Sequence, residues 1–172
     1  TVPNYPPEYR SGIGEEGVEE LKKFVENGGT LICFDGACEL AIKHFKLRLR
    51  DALEGLPSKE FFCPGSTLHA CVDTTHPAAY GMPEDSLVFF WNSRAFEILP
   101  SGENERYEAV AFYPDRDILE SGWLIGEEKL KRKAAMVVAR YELGKVVLIG
   151  FRPQHRCQTH GTLKLVFNSL YG

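Results

Sequence analysis

The sequence predicts an α/β domain with a mostly parallel, doubly wound sheet, and three observations predict it. A helix-period stretch leads into a short continuous apolar segment, TLICFD (30–35), which turns at once into a second helix-period stretch. Helix, strand and helix joined by tight turns build a sheet covered on both faces. The apolar segment shows no alternation, as expected of a strand buried on both sides. The last stretch, GTLKLVFNSLYG (161–172), is amphipathic and suits a helix closing one face. At 172 residues, 44% apolar and 26% charged, the chain has material for one domain with a sizeable core.

One domain over 1–172 is therefore expected, opening with an irregular Pro- and Gly-rich lead-in over 1–14. The first helix is expected from Glu15 to Asn27. Val18, Leu21, Phe24 and Val25 fall at helical spacing, Glu15 and Glu16 suit the positive end of the helix dipole, and Glu19 stands one turn before Lys23. Gly28 and Gly29 end it, because glycine accepts the left-handed conformation that terminates helices. After the strand at 30–35 the stretch ACELAIKHF (37–45) is again helical. GLPSKEFFCPGS (55–66) reads as a loop, and LHACVD (68–73), LVFFWN (87–92), FEILP (96–100) and YEAVAFYP (107–114) as strands. SGWLIGEEKLKRK (121–133) ends in a short polar helix or exposed loop whose basic tail is a solvated face. AAMVVARY (134–141) and KVVLIGF (145–151) flank the turn ELGK as an antiparallel hairpin. The closing helix has Leu163, Val166, Phe167 and Leu170 as its apolar stripe.

Composition removes several function classes. A net charge of −4 gives no electrostatic reason to expect nucleic acid or an anionic membrane as partner. No apolar run approaches the roughly 20 residues of a membrane-spanning helix. Five cysteines without regular spacing argue against a disulfide framework, and the lack of a Cys-x-x-Cys pair argues against a structural zinc site.

Ligands of open α/β sheets bind beyond the carboxyl ends of the strands. Two loops take such positions. DGAC (35–38) has the layout of a nucleophile elbow, with Cys38 near a helix N-terminus where a thiol pKa is lowered. The alternative for Cys38 is a small residue packing the first helical turn. RPQHRCQTH (152–160) holds Arg152, His155, Arg156, Cys157 and His160. His155 could act as base to Cys38; Asp35, Arg152, Arg156 and His160 are candidates to hold a ligand such as a carboxylate or sugar. The alternative is a structural loop, with Thr159 capping the final helix. No metal is expected, since no carboxylate completes a ligand set with His155, Cys157 and His160. Asp73 and His76 belong to a turn signal, DTTHP, and Trp91 and Trp123 are expected to be packing anchors.

The segment GVEELKKFVENGGTLICFDGACELAIKHF (17–45), with EFFCPGS (60–66), HPAAYGMP (76–83), SGWLIGE (121–127) and GFRPQHRCQTHGTLKLVFNSLY (150–171), resembles a known family. It is the class I glutamine-amidotransferase-like domain that follows the catalytic domain in certain bacterial zinc carboxypeptidases of the carboxypeptidase A type. GFRPQHR with THGT is its most specific piece. The resemblance implies a flavodoxin-like three-layer sandwich with a C-terminal antiparallel hairpin. It also implies that the strand–helix–strand unit preceding the PPEYR segment in the family is missing here. The expected function is that of a non-catalytic accessory domain, with the parent's peptidase domain as partner. No cofactor is expected in this chain, zinc belonging to the parent's peptidase domain; a secreted or periplasmic parent is compatible with the resemblance. The alternatives are a cysteine-dependent hydrolase using Cys38 and His155, and a small-ligand binding module. True amidotransferases carry Gly-x-Cys-x-Gly and His-Pro-Glu. Here Leu40 stands for the second glycine, and His155 is followed by Arg156 and Cys157. Peptidase chemistry within this chain is excluded, because none of its five histidines is followed by Glu three residues on.

Overall fold

The computed structural model describes residues 6, 12–100 and 106–171, so the lead-in expected over 1–14 lies largely outside the described residues. The first helix, α1, spans Gly14–Glu26 and buries Val18 and Val25. Phe24, expected on its apolar stripe, is exposed. The expected Glu19–Lys23 pair gives way to two i,i+3 pairs, Lys22 with Glu19 (2.8 Å) and Lys23 with Glu20 (2.7 Å). Gly28, at φ +99°, reverses the chain, and the N–H groups of Gly28 and Gly29 return to Val25 O and Phe24 O.

Strand β1 (Thr30–Phe34) and helix α2 (Ala37–His44) follow as expected. Short β2 (Leu49–Asp51) comes next and was not foreseen, three residues giving no readable pattern. Then come β3 (Ser66–Val72), β4 (Asp85–Phe90), β5 (Phe96–Ile98) and β6 (Tyr107–Phe112), each on an expected segment. β7 (Leu119–Ser121) is a second unforeseen short strand; it takes in the first residue of the SGWLIGEEKLKRK segment, whose remainder carries an antiparallel bridge from Ile125 to Phe62 and a 3-10 turn at Glu127–Lys129. The hairpin β8 (Ala134–Tyr141) and β9 (Gly144–Ile149) and the closing helix α3 (Leu163–Tyr171) complete the chain.

The protein is mixed α/β with one large sheet and few helices. Its main path is β1-β9-β8-β6-β3-β4, with β2, β5 and β7 attached at the side. The expectation of a mostly parallel sheet is corrected here. Among the described residues only β1 and β9 pair in parallel, with Thr30 opposite Lys145 and Phe34 opposite Ile149; every other pairing is antiparallel. A parallel pair needs a long crossover, whereas β8 and β9 are joined by only Glu142 and Leu143 and must fold back. β3 carries the corresponding mark, strict alternation of buried and half-buried residues.

β8 and β9 are buried on both faces and form the centre of the sheet. On one face Val137, Val146 and Leu148 pack with Val25, Cys38 and Ala41 of α1 and α2. On the other, Met136, Val147 and Ile149 pack with Phe151 and with Leu165 of α3. Following the antiparallel ladders from β9 through β8, β6 and β3 restores the direction of β1 in β4. The carboxyl ends of β1, β9 and β4 therefore lie on the same side.

Candidate site at the strand ends

The three carboxyl ends meet. Although β4 closes the far end of the hydrogen-bonded path, Arg152 N–H donates to Phe89 O (3.1 Å) and Arg94 N–H to Gly150 O (2.6 Å). Gly150 makes this approach possible, since a Cβ there would lie 2.4 Å from Arg94 O. The loop after β1, the loop after β4 and the loop after β9 thus form one surface.

Asp35, the first residue beyond β1, adopts a left-handed backbone with φ +52°, which aspartate tolerates better than most residues. Its Oδ2 accepts from Arg152 Nε at 2.8 Å, and its Oδ1 is buried without a protein partner among the described residues. The Arg152 guanidinium lies over the Trp91 ring, 4.9 Å from the centroid. His155 stacks on Phe89 (4.4 Å between centroids, 13° between planes) and meets Trp91 edge-on at 5.4 Å. Three residues on in the same loop, Arg94 bonds Glu39 of α2 through Nε (2.9 Å) and Nη2 (2.5 Å) and pairs with Asp51 Oδ2 at 3.1 Å. Burial pushes the Asp51 carboxyl up, against the N–H groups of Leu53 and Ala95 and the charge of Arg94.

Of the residues singled out in the sequence, Asp35, Arg152 and His155 are brought together. Arg156 and His160 are exposed and make no hydrogen bond or ion pair with this cluster among the described residues. Arg156 sits at φ +47° inside the 3-10 turn His155–Cys157. Thr159 provides no side-chain cap to the turn that follows; its hydroxyl meets that of Thr162, which donates to Pro153 O at 2.8 Å.

Cys38 does begin α2 close to the strand ends, but its side chain faces inward. The residue is 0% exposed, and its Sγ lies in donating reach of Cys33 O (3.4 Å) and Ile149 O (3.6 Å). Burial pushes its thiol far up, with the Cys33 and Asp35 charges adding to that. The lowering expected from the helix N-terminus is outweighed by desolvation. No hydrogen bond joins Cys38 to His155 among the described residues. Nor, among the described residues, do three or more His, Cys, Asp or Glu side chains gather as a metal set.

Sequence reasoning missed Trp91, Arg94, Glu39 and Asp51 as parts of one site. Trp91, expected to be a packing anchor, is 40% exposed. With Arg94, Glu39, Asp51 and the 54–64 segment it borders a cleft of about 430 Å³. The available signal was WNSR (91–94) directly after an apolar strand, where a turn places polar side chains at a sheet end.

No family model matches the chain, and no curated protein matches it in sequence. Solved structures do. A cytoplasmic protein from Salmonella typhimurium is 14% identical, with a TM-score of 0.56 over 95% of this chain and 62% of that one. A β-galactosidase from Bacillus circulans sp. alkalophilus is 10% identical, with a TM-score of 0.56 over 91% of this chain and 20% of that one. A protein from Thermoplasma acidophilum, described as one component of a GMP synthase, is 10% identical, with a TM-score of 0.55 over 91% of this chain and 63% of that one. The likeness is one of fold. The chain spans less than two thirds of the length of each of these structures.

Proposed function

We propose that this chain is a non-catalytic accessory module of a larger hydrolase, with a flavodoxin-like, class I glutamine-amidotransferase-like fold. In this reading its strand-end cleft binds a ligand without transforming it. The observation that carries the proposal is Cys38. A nucleophilic thiol needs exposure, a lowered pKa and a base in reach. Cys38 is fully buried, bonded to two backbone carbonyls and pushed toward the thiol form. His155 is occupied in stacking on Phe89.

The fold assignment is supported by the likeness to the GMP synthase component from Thermoplasma acidophilum. The β-galactosidase, in which the matched part is 20% of the chain, supports the idea that such a domain can be one part of a longer enzyme. The resemblance to the domain behind zinc carboxypeptidases makes a peptidase domain the partner we propose. The test is an assay of the purified chain on glutamine, simple amides and C-terminal peptide substrates. No turnover above background is expected, and none that Cys38→Ala removes. Turnover abolished by Cys38→Ala would overturn the proposal.

A further inference from the structure

The cleft beside Trp91 has the size of a small-ligand site, about 430 Å³. Its wall is prepared in advance. Trp91 is held by the Arg152 guanidinium at 4.9 Å and by the edge of His155 at 5.4 Å. Arg152 is in turn fixed by Asp35, and His155 by Phe89. None of Asp35, Arg152 or His155 lines the cleft; they back the one exposed ring that does. A large aromatic side chain whose rotamer is already fixed binds with little further loss of conformational entropy.

The charges on the cleft decide what chemistry it can take. Glu39 and Asp51 are both engaged by Arg94, and the Trp91 ring already has a cation against it. Among the described residues a cationic ligand would find only one unpaired carboxylate on the cleft, Glu54, which is exposed and therefore screened by solvent. An anionic ligand would face Glu39, Asp51 and Glu54 against the single guanidinium of Arg94. Glu54, Ser58 and Asn92 also line the cleft, and their side chains make no hydrogen bond among the described residues. They supply free acceptors and donors around an apolar ring. An aromatic ring of fixed rotamer, two carboxylates already paired with Arg94 and hydrogen-bonding groups left free on Glu54, Ser58 and Asn92 match a molecule with C–H faces and hydroxyl edges.

We infer that the strand-end cleft between Trp91 and the 54–64 segment is a binding site for a small neutral saccharide. The inference rests on the reading of the chain as a binding module. Glucose, cellobiose, maltose and lactose are titrated into the whole chain by calorimetry, with gluconate and spermidine as anionic and cationic probes. In parallel, tryptophan fluorescence is followed in Trp123→Phe, which leaves Trp91 as the sole tryptophan. The expected result is saturable binding of at least one neutral sugar in the millimolar range, with a Trp91 fluorescence change. Trp91→Ala should weaken it about tenfold or more, and the exposed changes Glu54→Gln and Asn92→Gly, the glycine keeping the left-handed backbone of position 92, about threefold each. Thermal melts identify any variant that fails to fold, and the two exposed variants then carry the test. Saturable binding of no neutral sugar, tighter binding of gluconate or spermidine, or binding that ignores all three substitutions would overturn the inference. Cys38-dependent amide turnover would instead overturn the non-catalytic reading and leave the binding result to stand, so the two failures are distinct.

Discussion

Arg152 and Asp35 stand 117 residues apart in sequence and are joined by a 2.8 Å bond from Nε to Oδ2 that ties the end of β9 to the end of β1. Both side chains are only partly accessible to solvent. Removing one partner leaves the other charge desolvated, which costs more than the pair itself contributes. Arg152→Ala is expected to destabilise the protein by about 2–3 kcal/mol. Asp35→Asn, which keeps a residue tolerant of the left-handed backbone and an acceptor oxygen, is expected to cost about 1 kcal/mol. Urea unfolding of the two single variants and the double variant measures the coupling; additive effects would show that the bond contributes nothing.

Gly150 lets the loop after β4 rest on the end of β9. Gly150→Ala would place a Cβ 2.4 Å from Arg94 O and 3.1 Å from Phe96 Cε2. One of these contacts is with backbone, which cannot rotate away. Overpacking of this kind costs about 1–3 kcal/mol. The variant should melt lower than the wild type and show altered Trp91 fluorescence, because Trp91 belongs to the loop that is pushed off. An unchanged melting temperature would mean that the two loops do not touch.

The cysteines are expected to react in the order of their accessibility. Burial pushes Cys33 up to about 11, and raises Cys38 and Cys63 as well. Partial burial and the Asp85 and Glu84 charges raise Cys71 too, so what sets it apart from these three is that it is partly exposed. Iodoacetamide applied to the native protein at mildly alkaline pH should label Cys71 ahead of Cys33, Cys38 and Cys63, with full labelling only on unfolding. Peptide mapping by mass spectrometry reads the order. Prompt labelling of Cys38 in the native state would restore the hydrolase reading.

His69 lies between Asp85 (3.0 Å) and Glu120 (2.9 Å), tying β3 to β4 and β7. Hydrogen bonds to Asp85 and Glu120 hold its pKa above the ordinary value. The folded pKa is therefore higher than the unfolded one, near 6.5. The stabilisation is fully present below that pH and is lost as pH rises through the folded value. The carboxylates are largely exposed, so the contribution is under about 1 kcal/mol. The stability gap between wild type and His69→Gln should be larger at pH 6 than at pH 9, as read by thermal unfolding. A gap that grows with pH would overturn the assignment.

What the sequence disclosed follows from how local each signal is. α1, β1, α2 and the β8–β9 hairpin are written in contiguous residues, and they fold where expected. The sheet's direction is not local. The continuous apolar run of β1 pointed correctly to a parallel strand, but β1 ends the sheet path with only Cys33 buried, and extending the parallel reading to the whole sheet overlooked the alternation in Ser66–Val72. The candidate site divides in the same way. Asp35, Arg152 and His155 were legible because they lie next to readable strand ends. Trp91 and Arg94 were not, because only the return of β4 to β9 places them there.

Helix α3 shows how a correct element can carry the wrong face. The apolar spacing assigned Leu163, Val166, Phe167 and Leu170 to the core. Leu163 and Val166 are half-buried, Val166 against the core, but the fully buried positions are Leu165, 0% exposed, and Ser169, while Phe167 is 55% and Leu170 57% exposed. Polar groups set the rotation. Asn168 Nδ2 donates to Ala78 O (3.2 Å) and Tyr80 O (2.9 Å), Lys164 Nζ to Gly81 O (2.7 Å), and Ser169 Oγ to Leu165 O (2.6 Å). Turning Phe167 inward would pull the Asn168 and Lys164 donors from their backbone partners, a loss of about 1 kcal/mol each. Leu165→Ala is therefore expected to cost about 3 kcal/mol and Phe167→Ser less than about 0.5 kcal/mol. Chemical denaturation of the two variants decides between the faces, and a larger loss at Phe167 than at Leu165 would place the stripe where periodicity alone put it.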